Sequence, residues 1–100
     1  DKIMETKKNH NEKTIYLFKE DLSKKGLRAV SGMHGFSLDV AQKIHTLSVG
    51  EVEQVAATLA ESDLIATPTS IAAVLATNSK NKEDIVAEAA FLSTVKKKSL

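Results

Sequence analysis

Three histidines have the most versatile side-chain chemistry in this sequence, but their spacing does not match that of a metal-binding site. His10, His34 and His45 are the only imidazoles, and the chain contains no cysteine. A zinc site commonly needs three or four protein ligands, and no carboxylate recurs at ligand spacing beside these histidines. We therefore predict histidines that are structural or solvated, and no metal-binding or cofactor-binding residue.

A second candidate is the pair of glycines in the stretch Gly32-Met33-His34-Gly35. A phosphate-binding loop requires a strand before its glycines, and no strand pattern precedes this stretch. The chain also lacks the nucleophile-elbow motif of hydrolases. We therefore predict that these glycines form a helix end or a turn, that the chain has no catalytic residue, and that it is not an enzyme.

Hydroxyl and ammonium groups of the second half could instead contact DNA. The hydroxyls in the stretch 67–70 either meet a phosphate or base edge at a helix N-terminus or cap that helix beside Pro68. The lysines of the tail either track phosphates or complement a helix C-terminus. The candidate DNA contacts are Thr67, Thr69, Ser70, Lys80, Lys82, Lys96, Lys97 and Lys98.

The net charge is only +1, but the charge is unevenly distributed, with an acidic middle between two basic ends. Residues 1–28 sum to +3 and residues 80–100 to +2, whereas residues 29–79 sum to −4. Phosphate attraction supplies most of the nonspecific affinity of proteins for DNA. Any DNA contact by this chain is therefore expected at its two ends and not in its middle.

Two helix starts in quick succession, at Ser37 and Ser48, form the clearest local signal in the chain. Ser48 and Glu51 have the spacing of a capping box, so two helices should meet at a sharp corner. A helix-turn-helix that reads DNA unaided normally carries Lys or Arg on or beside its second helix. The helix after Ser48 carries Glu51, Glu53 and Glu61 and no positive charge. We predict a corner that braces the fold and docks a partner.

The composition predicts one small all-α domain. Apolar residues make up 42% of the 100 residues, but there are only three Phe, one Tyr and no Trp, and no strand-like alternation of useful length occurs. Residues 1–10 have the polar composition of a disordered lead. Helices are expected over 11–34 with a break near Gly26, in a helix-turn-helix-like part over 37–77, and over 82–98.

The segment 11–34 is apolar on more than one side, which is typical of a helix with more than one partner surface, as in an intertwined homodimer. Tyr16, Leu17 and Leu27 lie off its main stripe. The lack of cysteine and of an apolar run of roughly 20 residues favours a cytoplasmic protein with no membrane contact. The residues expected to form the homodimer interface are Ile15, Phe18, Leu22, Ala29 and Met33.

One pattern of residues opens two successive helices. A glycine, an apolar residue and a polar cap open the first, and a Ser or Thr cap followed by apolar positions opens the next. The residues of this pattern are Gly35, Phe36, Ser37, Val40, Ala41, Ile44, Leu47, Ser48, Val49, Val52, Val55 and Ala56. Over this stretch, about a fifth of its length, the chain resembles the FlhD family, the small subunits of a bacterial transcriptional activator, together with FlhD-like regulators of conjugative elements.

The resemblance implies an all-α homodimer whose N-terminal helices intertwine and whose C-terminal half is helix-turn-helix-like. It further implies that the chain joins an FlhC-like partner, which carries a cysteine-ligated zinc and makes much of the promoter contact, and that the assembly recruits RNA polymerase. Flagellar and conjugative-transfer genes are both open as targets. The alternative interpretation is a small helical adaptor or anti-activator that takes no part in DNA binding.

Overall fold

The computed structural model describes residues 2–35, 37–77 and 81–99, with side chains described up to Leu92. Every regular element in those ranges is a helix, so the prediction of an all-α fold is confirmed. The helices are α1 (Lys2–Lys25), α2 (Leu27–His34), α3 (Leu38–His45), α4 (Val49–Glu61), α5 (Pro68–Thr77) and α6 (Lys82–Ser99).

The first helix begins at Lys2, so the expectation of a disordered lead is wrong for residues 2–10. Lys8 and Glu12 lie one helical turn apart with 3.7 Å between Nζ and Oε1, a spacing that supports isolated helices. Lys7 pairs with Asp63, which lies far along the sequence. Contacts with a distant segment thus stabilise a stretch whose own sequence lacks helical periodicity.

Gly26 separates α1 from α2, as the sequence predicted. Its φ of 93° and ψ of 148° lie in a region that is almost restricted to glycine. The Gly26 N–H still donates to the Leu22 carbonyl at 2.9 Å, and its own carbonyl accepts from the Val30 N–H at 3.2 Å. The N–H and the carbonyl of Gly26 thus both keep a helical hydrogen bond while the backbone turns at this residue. Gly35 ends α2 in the left-handed conformation, whereas Gly32, which was expected to help end it, lies within the helix.

Helices α1 and α4 pack side by side in antiparallel orientation. Near one end of the pair Lys7 meets Asp63, and near the other the Lys19 ammonium donates to the Leu47 carbonyl. The stripe of apolar residues on α1 is buried against this partner and its neighbours. The main core residues that these helices contribute are Ile15, Phe18, Leu22, Val52, Val55, Ala56 and Leu59.

Helix α5 lies at the centre of the second half, in contact with α3, α4 and α6. It contains no charged residue, and the run from Ser70 to Val74 is buried. A helix that is apolar on all sides is typical of a core element. Helix α6 packs mainly on α5, with Ile85 fully buried, and the Asn81 Oδ1 at its start accepts from the Glu83 N–H at 2.8 Å.

Candidate interaction surfaces

Local capping interactions build the corner between α3 and α4. The Ser48 Oγ accepts from the Glu51 N–H at 3.2 Å, and the Glu51 Oε1 accepts from the Ser48 N–H at 2.8 Å. At the start of α3 the Ser37 Oγ accepts from the Val40 N–H at 3.3 Å. Each bond satisfies a backbone donor that a helix start leaves without an intrahelical partner. Both predicted caps, including the capping box, are confirmed.

The outer side of α4 is acidic. Glu51, Glu53 and Glu61 are exposed, and α4 contains no Lys or Arg. Hydrogen bonds from the backbone and the hydroxyl of Ser48 hold the pKa of Glu51 below its usual range, so this carboxylate stays ionised near neutral pH. We call these three residues the acidic side of α4. Their charge repels phosphate and suits a partner that presents Lys or Arg.

The corner is tied to the end of α1 by polar contacts within the chain. The Lys19 ammonium donates to the Leu47 carbonyl and lies 5.8 Å from the centroid of the Tyr16 ring. The Ser23 Oγ and the His45 Nε2 are 3.1 Å apart. Lys19 thus helps to hold the corner in place against α1.

The stretch Thr67–Ser70 is a helix cap. The Ser70 Oγ accepts from the Thr67 N–H at 2.8 Å and donates to the Ile65 carbonyl at 3.0 Å, while the Thr67 Oγ1 accepts from the Ser70 N–H at 3.0 Å. Ser70 is buried and Thr69 is half-buried. The buried Ser70 hydroxyl therefore serves the start of α5 and not DNA, whereas DNA contact by Thr67 and Thr69 stays a prediction.

The basic candidates are only partly described. Lys82 is exposed at the start of α6, and its charge contributes to lowering the pKa of Asp63, after the larger effect of Lys7. Lys80 lies outside the described residues. Helix α6 extends through Lys96, Lys97 and Lys98, but their side chains lie outside the described part. DNA contact by these lysines stays a prediction.

The residues expected to form the homodimer interface divide into two groups. Ile15, Phe18 and Leu22 are at most 7% exposed, because helices of the same chain cover them. Ala29 and Met33 lie exposed on the outer side of α2. The expectation that the α1 stripe offers a surface to a second copy is therefore wrong for its three largest members, whereas the homodimer itself stays a prediction.

Asn11 is the polar residue that sequence reasoning missed. It is 1% exposed, and its carboxamide bonds with backbone groups of α4 and of the connection 62–67. The available signal was its position, since Asn11, Ile15, Phe18 and Leu22 continue one helical stripe. A lone asparagine in such a stripe indicates a buried partner for its amide.

The three histidines do not meet. His34 packs edge-on against the Phe18 ring, with 5.6 Å between ring centroids, and His10 is exposed on α1. Among the described residues no group of three or more His, Cys, Asp or Glu side chains could hold a metal ion. No helix in the described ranges combines the length and apolarity needed to cross a membrane.

A comparison with protein-family models, curated proteins and solved structures finds no match to this chain. The resemblance to the FlhD family thus rests mainly on the residues between Gly35 and Ala56, and what it implies about partners stays a prediction.

Proposed function

We propose that this chain is a non-catalytic subunit of a heteromeric bacterial transcriptional activator, which joins an FlhC-like DNA-binding partner at the promoters of flagellar or conjugative-transfer genes. The observation that carries the proposal is the acidic side of α4. In a helix-turn-helix that binds DNA unaided, the second helix meets phosphates and base edges. Here that helix presents Glu51, Glu53 and Glu61 outward and buries its apolar side against α1.

A rigid, negatively charged corner is well suited to docking a basic protein. The reciprocal Ser48–Glu51 cap and the Lys19–Leu47 contact fix the corner relative to α1, so binding would cost little ordering of the backbone. Complementary charge steers association and fixes orientation. The partner would then supply most of the phosphate contacts, with Lys82 and the lysines of the tail adding to them.

The test is a fluorescence-anisotropy titration of promoter DNA at physiological salt. The purified chain alone should bind weakly and without sequence preference, and adding the FlhC-like partner that the proposal requires should give a specific complex. Binding by the chain must be compared over several salt concentrations, because phosphate contacts weaken as salt rises. Tight, sequence-specific binding by the chain alone would contradict the proposal.

The second candidate function is that of a helical adaptor or anti-activator that takes no part in DNA binding. The observation that favours it is the internal use of Thr67 and Ser70, whose hydroxyls were the best-placed groups for a phosphate at a helix N-terminus. An adaptor would form its protein complex equally well with and without DNA. A complex that forms with the partner, but leaves promoter affinity unchanged, would favour this second function over the first.

A further inference from the structure

A cleft of about 390 Å³ lies between α1 and the connection 62–67. Small-molecule sites in proteins usually have volumes of roughly 300–1,000 Å³, so this cleft is large enough for a small ligand. Two segments that are remote in the sequence build it, and it therefore exists only in the folded chain. We call it the Ile65 cleft, and its lining residues are Thr6, Lys7, His10, Asn11, Asp63, Leu64 and Ile65.

The base of the Ile65 cleft is fixed and most of its surface is apolar. The buried Asn11 carboxamide donates to the Leu64 carbonyl and accepts from the Ala66 N–H, which holds the two segments together. The Leu64 side chain packs on the core, whereas Ile65 is 67% exposed. A ligand would therefore meet apolar surface that is already in place, so that its binding costs little ordering of the protein.

The two charged residues that line the Ile65 cleft neutralise each other. Lys7 forms an ion pair with Asp63, and this contact holds the pKa of the Asp63 carboxyl below its usual range. No other lining residue that the structure describes is Lys, Arg, Asp or Glu. A charged ligand would lose hydration on entering and find no unpaired opposite charge in return. The cleft therefore favours a neutral ligand.

Two other clefts beside α1 lack this combination of features. One, of about 380 Å³, is lined by Glu20, Asp21 and Lys24, so its charges do not balance. The other, of about 250 Å³, is lined by residues of α1 alone, which include Lys2 and Lys7. The Ile65 cleft differs from both, because it joins two segments of the chain and its charges cancel.

His10 offers the Ile65 cleft a polar contact for a ligand. Its imidazole makes no hydrogen bond with another described residue, and the side chain is exposed. A neutral imidazole has one donor and one acceptor nitrogen, and its flat ring can pack against an aromatic ring. These properties favour a planar ligand with a single hydrogen-bonding group, whose rings also contact Leu64 and Ile65.

We propose that the Ile65 cleft binds a small neutral aromatic molecule with one hydrogen-bonding group. The rings lie against Leu64 and Ile65, and the polar group meets the imidazole of His10. The ligand contacts both α1 and the connection 62–67, so it binds the folded chain only and raises the melting temperature. This site is independent of the proposed function, because the acidic side of α4 takes no part in it.

An NMR titration of the full chain with indole tests the site and its preference for a neutral ligand. Indole should shift amide signals of residues 6–11 and 63–66 in a saturable way, with a Kd below about 1 mM. Indoleacetate and tryptamine carry the same ring system with a negative and a positive charge, respectively. Both should bind at least fivefold more weakly than indole, because the Lys7–Asp63 pair leaves no charge to receive them.

Two variants test the residues of the Ile65 cleft. Ile65→Asp places an unpaired charge against the ligand and should raise the Kd for indole at least tenfold. His10→Ala removes the polar contact and should raise it at least threefold. Val49→Asp is the matched control, because Val49 is 68% exposed on α4 and does not line the cleft. Circular dichroism verifies that all three variants keep the helical content of the parent chain.

Three outcomes would overturn the proposal. Indole that causes no saturable shift up to several millimolar has no site on this chain. Binding that Ile65→Asp and His10→Ala leave unchanged takes place elsewhere. Equal or tighter binding of indoleacetate or tryptamine would show that the cleft does not select a neutral ligand. None of these results bears on the DNA titration, so failure of this proposal and failure of the proposed function are separable.

Discussion

Asn11 and Ala66 are joined by a buried hydrogen bond, in which the Asn11 Oδ1 accepts from the Ala66 N–H at 2.9 Å across 55 residues of sequence. The Asn11 Nδ2 also lies 3.4 Å from the Ala56 carbonyl and 3.3 Å from the Leu64 carbonyl. One carboxamide therefore holds α1 against both α4 and the connection to α5. Because it needs particular donors and acceptors, it fixes the axial position of α1 in a way that apolar contacts do not.

Replacing Asn11 with alanine should lower the free energy of unfolding by about 1–3 kcal/mol, since the buried Ala66 N–H loses its acceptor. Urea denaturation followed by circular dichroism measures the change. Asn9→Ala is the control, because Asn9 is exposed two residues earlier on the same helix and should change stability by no more than about 0.5 kcal/mol. Equal effects of the two substitutions would contradict the role assigned to Asn11.

Replacing Gly26 with alanine should destabilise the fold by about 1–3 kcal/mol, because its positive φ is strained for any residue with a Cβ. The strain is purely a backbone effect, since an added Cβ would meet no atom within 4 Å. Gly32→Ala is the matched control. It lies inside α2 with equally open surroundings and should stabilise the fold by up to about 1 kcal/mol. Thermal melts of the two variants should therefore shift in opposite directions.

The capping box should make stability depend on pH in the acid range. Hydrogen bonds from Ser48 lower the pKa of Glu51 in the folded state. This contribution is complete above the ordinary glutamate pKa of about 4.3, and it is lost as the pH falls through the lowered value. Glu51→Gln, which keeps an acceptor but does not titrate, should flatten the decline in unfolding free energy below about pH 5.

Glu53→Gln provides the comparison for that pH series. Glu53 is exposed two residues further along the same helix, outside the cap. The unfolding free energy of Glu53→Gln should follow that of the parent chain through the whole acid range. An identical flattening in both variants would show that the capping box is not its cause. Asp63, whose pKa is lowered chiefly by its hydrogen bond with Lys7, contributes to the acid decline in all of these proteins.

Reversing charge on the acidic side of α4 should weaken the complex with the FlhC-like partner. Glu53→Lys with Glu61→Lys should reduce its affinity at least tenfold, or about 1.4 kcal/mol, with little change in stability because both side chains are exposed. Glu5→Lys carries the same type of change at an exposed position of α1, outside α4. Isothermal titration calorimetry at two salt concentrations measures the effect, and equal losses in both variants would argue against α4 as the docking surface.

Structural features that depend on residues only a few positions apart could be predicted from the sequence. The Ser48–Glu51 cap, the cap at Ser37 and the break at Gly26 all depend on groups that lie within four positions of one another, so their chemistry is visible in the order of residues. The end of α4 is likewise formed by groups that lie close together in the sequence. Asp63 adopts a left-handed conformation with φ of 57°, and the Leu64 N–H donates back to the Leu59 carbonyl at 2.8 Å.

Structural features that depend on contacts between residues far apart in the sequence could not be predicted in this way. Periodicity identified Ile15, Phe18 and Leu22 as one buried stripe, but it does not distinguish burial by a second copy from burial by α4 of the same chain. The helix over residues 2–10 is a similar case, since contacts with residues 63–66 help to hold it.

The long separation between Asn11 and Ala66 also sets an order of events during translation. At roughly 5–20 residues per second, about 3–11 s pass between the synthesis of these two residues. For most of that interval α4 (Val49–Glu61) is still incomplete, so the apolar stripe of α1 lacks its main partner. The first helix to be made therefore waits for a partner from the second half of the chain, and its apolar stripe is exposed to aggregation until α4 emerges.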